Sequence, residues 1–150
     1  MENNVAFLAS DVGRLFRKRF EVATRDLGVT GPQWRALVLI SANPGVNQGS
    51  LAGMLEVEAI TAGRMIDRLE KLGLVERRTD PGDRRAWLLH LTPAAAPLLE
   101  SLRGRAADVI ADSVSNFTAE EHAVLVGLLG RMREKLLGPY LPVTEVAANG

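Results

Sequence analysis

The stretch NQGSLAGMLEVEAITAGRMIDRLEKLGLVERRTDPGDRRAWLLHL, residues 47–91, decides the fold. Asn47 opens a short helix from Gln48 to about Met54, because its side-chain oxygen can accept a backbone N–H of the first turn. A tight connection at Leu55-Glu56-Val57 leads to a second helix, about Glu58 to Leu72, with Ile60, Met65, Ile66, Leu69 and Leu72 as its expected apolar face. Gly73 closes that helix, since glycine adopts the left-handed conformation of a C-terminal cap without strain. Two strand candidates follow, Leu74 to Arg78 and Ala86 to Leu91. Between them lies Thr79-Asp80-Pro81-Gly82-Asp83, a strong turn signal that predicts a β-hairpin with an exposed tip.

The flanks read as long helices. Toward the N-terminus, Val5, Leu8, Val12, Leu15, Phe16, Phe20, Ala23 and Leu27 recur at three- and four-residue steps, which predicts one amphipathic helix capped by Gly28. Thr30-Gly31-Pro32 opens another, to about Ser41, containing Trp34, Leu37, Val38 and Ile40 and stopped by Asn43-Pro44-Gly45. Toward the C-terminus, Thr92 as N-cap and Pro93 at the first helical position launch a helix to about Asn116, with a kink expected at Pro97. Thr118-Ala119-Glu120-Glu121 is a capping box for a last helix to about Leu137, striped by Val124, Leu125, Leu128, Leu129, Met132 and Leu136. The tail, 138–150, is expected to be poorly ordered.

Composition sets outer limits. A length of 150 residues fits one domain, 1–150, with 47% hydrophobic and 24% charged residues in the range of folded soluble proteins. Aromatics at 5% suit helix packing better than a β-sandwich. The chain has no cysteine, which removes disulfides, thiol switches and Cys-ligated zinc. The N-terminus carries no signal-like segment and no apolar run approaches the roughly 20 residues of a membrane span, so a cytoplasmic protein without a membrane partner is expected. Eighteen basic residues meet eighteen acidic ones. Composition therefore does not suggest nucleic acid, and any electrostatic case rests on local placement.

The order short helix, turn, helix, hairpin describes a winged helix-turn-helix: mainly α, with a small β-wing. In such a unit one helix fits the DNA major groove while its neighbour braces it across the backbone. Leu51, Leu55, Val57, Ile66 and Leu69 supply the apolar contacts for bracing.

Several segments together closely resemble MarR-family regulators: Gln33-Trp34-Arg35-Ala36-Leu37, Asn43-Pro44-Gly45-Val46-Asn47-Gln48, Ile66-Asp67-Arg68-Leu69-Glu70-Lys71-Leu72-Gly73-Leu74-Val75-Glu76-Arg77, and the wing Asp80-Pro81-Gly82-Asp83-Arg84-Arg85-Ala86 ending in Leu91-Thr92-Pro93. The resemblance covers nearly the whole chain. It implies a DNA-binding winged helix over about 32–92 and long dimerisation helices over about 4–27 and 93–137, interlocked in a homodimer. It also implies a transcriptional regulator, in the commoner mode a repressor, reading a palindromic site on double-stranded DNA, and not an enzyme.

Arg84 and Arg85 leave the hairpin tip, where arginine suits the negative potential of a narrow minor groove. The family's wing motif implies that Asp83 orients them by a charge-assisted hydrogen bond. On the second helix Ala59, Ile60, Thr61 and Gly63 take the N-terminal positions, followed by Arg64 and Arg68. Arg64 is a candidate for a base or phosphate, Thr61 for a phosphate, and Ile60 for core or a thymine methyl. Arg68 is also a candidate for an intrahelical pair with Asp67 or with the acidic neighbours of Lys71. Arg77, like Arg78, is a brace of the wing or a phosphate contact. Glu56, Glu58, Ala59 and Gly63 depart from the family pattern, which carries Ser or Thr near position 58 and more basic residues after it. Carboxylates there oppose DNA, and a winged-helix protein-interaction module is the rival reading. The resemblance further implies a small-molecule sensor for an aromatic or anionic effector, with Phe16, Phe20, Trp34 and Leu37 as candidate walls, or plain core, and Arg17 or Arg35 for an anionic group. Absence of cysteine excludes the thiol mechanism of the family's peroxide-sensing branch. His90 and His122 have no partners at ligand spacing, so neither metal nor cofactor is expected.

Overall fold

The computed structural model describes residues 3–138; the rest of the C-terminal tail lies outside them. The order is α1 (Val5–Thr24), a 3-10 turn (Arg25–Leu27), α2 (Gly31–Ala42), β1 (Val46–Asn47), α3 (Gln48–Leu55), α4 (Ala59–Lys71), β2 (Val75–Asp80), β3 (Asp83–Leu91), α5 (Ala95–Ser113) and α6 (Ala119–Leu137). The chain is thus mostly helical with one small antiparallel sheet of strand order β1-β3-β2, the winged-helix architecture. β1, too short to signal itself in sequence, pairs Val46 with Leu89.

The caps explain most boundaries. Asn4 accepts from the backbone of Ala6 and Phe7 at 3.0 and 3.1 Å and starts α1. Thr30 with Gln33, and Thr118 with Glu121, form reciprocal capping boxes at α2 and α6. Gly28 closes the first helical segment with φ 79°, but only after the last turn tightens to 3-10 geometry. One start differs from expectation. Thr92 gives its hydroxyl to the carbonyl of Gly73 rather than to a helix, and α5 begins at Ala95. Pro97 therefore falls in the first turn, where its missing N–H has no intrahelical partner to lose, and no kink is needed.

The core is built where α2, α3, α4, β3 and the N-terminal half of α5 meet. Leu37, Ile40, Leu51, Ile66, Leu69, Leu89 and Leu102 are fully buried there. On α4 the inward positions are Ala62, Ile66 and Leu69. Ile60, expected on that face, is 65% exposed, and Leu72 is exposed too. Position 60 stands about 200° around the helix from 62, on the opposite side.

α1 lies against α5. Arg105 fastens the crossing: Nη1 donates to the Ala23 carbonyl at 2.7 Å and to Asp26 Oδ1 at 2.8 Å, and Nη2 donates to Asp26 Oδ2 at 3.0 Å. The hydrogen bonds from Arg105 hold the Asp26 carboxyl below its ordinary value. α6, by contrast, buries none of its side chains. No described helix is long and apolar enough to cross a membrane.

Candidate nucleic-acid interface

α3 and α4 are joined by a turn that rests on one residue. Glu56 adopts the left-handed conformation, φ 55° and ψ 42°, the one non-glycine to do so among the described residues. Val57 N then donates to the Ala52 carbonyl at 3.1 Å, and Glu58 resumes an extended backbone as the N-cap of α4. With Ala62, Ile66 and Leu69 facing inward, the opposite face of α4 is left to solvent. Ala59, Ile60, Thr61, Arg64, Asp67, Arg68 and Lys71 are exposed there. Ile60, Arg64, Arg68 and Lys71 follow one another at helical spacing and form a single outward stripe.

Arg77 ties this helix to the wing. Its side chain is only 14% exposed, and every guanidinium nitrogen is engaged. Nη1 meets Asp67 Oδ1 at 2.7 Å and Glu70 Oε1 at 3.3 Å; Nη2 donates to the Gly63 carbonyl at 3.2 Å and to Gln48 Oε1 at 3.1 Å; Nε donates to the same Gln48 oxygen at 3.3 Å. One side chain from β2 thus spans α4 and the first residue of α3. Arg77 is placed as a brace, with no donor left over for a phosphate. Gly63 belongs to the same junction. It is half-buried, and a Cβ there would lie 3.1 Å from Gln48 Nε2. The missing side chain lets Gln48 approach closely.

Because Asp67 and Glu70 turn to Arg77, the cations of α4's outer face stay unpaired. Among the described residues Arg64, Arg68 and Lys71 have no carboxylate within ion-pair distance; Arg68 does not pair with Asp67. Arg78 is engaged by Glu76.

The wing holds two further free cations. β2 and β3 pair regularly from Val75↔Leu91 to Thr79↔Trp87, then jump to Asp80↔Asp83, so Arg84, Arg85 and Ala86 have no partner across the ladder. Asp80 Oδ1 accepts from Gly82 N at 2.9 Å and Asp83 Oδ1 from Arg85 N at 3.0 Å. Asp83 therefore shapes the turn through the backbone of Arg85, not through a bond to a guanidinium. The Arg84 and Arg85 side chains are exposed and without an acidic partner among the described residues. A neutral chain has gathered unpaired positive charge on α4 and the wing tip, the footprint of a polyanion-binding surface.

Residues 29–87, which span α2 to the wing, match the sequence profile of the MarR family. Over 134 residues the chain is 32% identical to a protein named for transcriptional regulation of the hcr operon in Thauera aromatica, covering 89% of this chain and 76% of that one. The chain belongs to the MarR family. Its fold superposes on MarR from E. coli in the apo form with a TM-score of 0.80 at 27% identity, covering 88% and 98% of the two chains. It also superposes on a mutant of the same protein complexed with operator DNA, with a TM-score of 0.74 at 28% identity over 85% and 92%. MarR-family proteins are transcription regulators rather than enzymes, and this chain is one.

In this MarR-family chain three aromatic residues, Phe16, Phe20 and Trp34, form a cluster. Phe16 and Phe20 lie 5.5 Å apart at 18°, and Phe20 meets Trp34 edge-on at 5.5 Å and 83°. Trp34 Nε1 is buried without a hydrogen-bond acceptor among the described residues. Arg17 is exposed nearby in sequence, and Arg35 is exposed with Nη2 donating to the Met54 carbonyl at 3.4 Å. Leu37 is wholly enclosed in the core and lines no surface. Among the described residues no group of three or more His, Cys, Asp or Glu is placed to hold a metal ion.

Sequence reasoning missed Gln48, Glu70 and Asp67 as the partners of Arg77. Nothing local signals them: Asp67 and Glu70 share α4 with Arg64, Arg68 and Lys71, and Gln48 stands on α3.

Proposed function

We propose that the chain is a homodimeric, sequence-specific repressor that binds palindromic operators in the cytoplasm. The observation that carries this reading is the pattern of free and engaged arginines. Arg77 is engaged in bracing, while Arg64, Arg68, Arg84 and Arg85 remain free on the two elements that can reach adjacent grooves. α4 enters a major groove with Ile60, Thr61, Arg64 and Arg68 outward; Ile60, being exposed, is available to a thymine methyl. The wing arginines enter the neighbouring minor groove.

Dimerisation is supported by what the single chain leaves uncovered. Val5, Phe7, Leu8, Val12 and Leu15 on α1, and Val124, Val126, Leu128, Leu129, Leu136 and Leu137 on α6, are all exposed. Helices draw most of their stability from packing an apolar face, and soluble monomers rarely expose such a run. Two copies joined through α1, α5 and α6 cover it and set two reading heads on half-sites about 10 base pairs apart.

A small aromatic or anionic effector docks beside Phe16, Phe20 and Trp34, with Arg17 or Arg35 meeting its charge, and alters the spacing of the heads. The unpartnered Trp34 Nε1 supports that seat. Selection from random duplex at controlled salt tests the function. A palindromic consensus is expected. Binding with no sequence preference, or none in dilute salt, overturns it in favour of an interaction module, the reading that exposed Glu58 at the start of α4 favours.

A further inference from the structure

One large side chain on the wing has no part in the fold or in the cationic pattern. Trp87 is 44% exposed, and its Nε1 has no hydrogen-bond partner among the described residues. Its direction follows from the ladder. Thr79 lies opposite Trp87 and Arg77 opposite Leu89, and residues directly opposite each other share a face, as do alternate residues along a strand. Arg77 reaches from this face to Gly63, Asp67 and Glu70 of α4, and Leu89 from this face is fully buried in the core. Trp87 therefore stands on the α4 side of the hairpin, about 7 Å beyond Leu89 toward the tip. It sits past the Arg77 brace and before unpaired Arg84 and Arg85.

That places it in the notch between helix and wing. Resting on the DNA-binding reading above, we propose that Trp87 is a positioning contact for the sugar–phosphate strand that runs between the two grooves. With α4 in a major groove and the wing tip in the adjacent minor groove, the dividing strand must pass through this notch. An indole suits it: the apolar ring covers a deoxyribose and Nε1–H donates to a phosphate oxygen. Bases are out of its reach, so it adds affinity and register on any sequence. Being uncharged, it releases no counterion.

The test uses the full chain and a labelled random-sequence duplex. Trp87→Ala should bind on the order of tenfold more weakly, as expected for a lost hydrogen bond to a charged group, with the slope of log K against log salt unchanged. Trp87→Phe, which keeps the ring and loses the donor, should fall between. In the wild type, duplex should shield tryptophan emission from acrylamide, and that shielding should vanish in Trp87→Phe. Wild-type affinity in Trp87→Ala, a lowered salt slope, or shielding that persists in Trp87→Phe overturns the assignment while leaving the DNA-binding reading intact. Failure of the wild type to bind duplex overturns both.

Discussion

Arg77 and Arg85 lie on the same hairpin, yet they answer to different measurements. Arg77 joins β2 to α4 and α3, so Arg77→Ala should destabilise the protein by about 1–2 kcal/mol in urea unfolding. The low end of charged hydrogen bonding applies because Asp67 and Glu70 remain half in water. Arg77→Lys should recover only part, since an ammonium lacks the planar fork that reaches Gln48, Gly63 and two carboxylates together. Arg85→Ala should leave unfolding unchanged. It should weaken operator binding by about 1–3 kcal/mol and lower the salt slope by about 1, read by fluorescence anisotropy across a salt series. The exposed place of Arg85 at the hairpin tip was legible because a turn signal fixes its surroundings within a few residues. The destination of Arg77 was not: Gln48 lies 29 residues away and Gly63 lies 14, contacts that exist only after α3, α4 and the hairpin have packed.

At the scale of the element, α4 starts without the side-chain cap that α2, α3 and α6 have. Thr30, Asn47 and Thr118 cap their helices with side-chain oxygens, whereas Glu58 makes no such bond. Glu58→Ser should therefore raise stability by a few tenths to about 1 kcal/mol in thermal melts, the cap gain exceeding the lost charge–dipole interaction. The same change removes a carboxylate from the exposed start of α4, which in the proposed complex faces the groove, and should tighten DNA binding most at low salt. An unchanged melting temperature would show that the N-terminus of α4 is already satisfied by water. Helices with local caps were readable directly, as Thr118 and Glu121 illustrate. The start of α5 was misread because Thr92 also suits an N-cap, and its engagement with Gly73 is a tertiary choice. Ile60 was misassigned to the core on its apolar character, although its helical phase sets it opposite the buried Ala62.

Across the whole molecule, Arg105 fastens α5 to the end of α1 and the turn after it, through the Ala23 carbonyl and Asp26. Asp26 is held below its ordinary value of 3.8, so its contribution is present above that pH and is lost as pH falls through the lower folded value. Stability should decline on acidification through this window, and Arg105→Ala should flatten that part of the curve in urea unfolding followed against pH. A parallel curve in the variant would remove Asp26 from the linkage. The fastening matters to the proposed dimer, because α1 and α6 expose apolar side chains and in that assembly their burial between two copies sets the spacing of the heads. Sedimentation velocity of the purified chain with labelled duplex measures this most directly. A free species of two chains, and a complex of two chains per duplex that dissociates as salt rises, is the expected result. A single chain at every concentration, or a duplex that sediments alone in dilute salt, would contradict it.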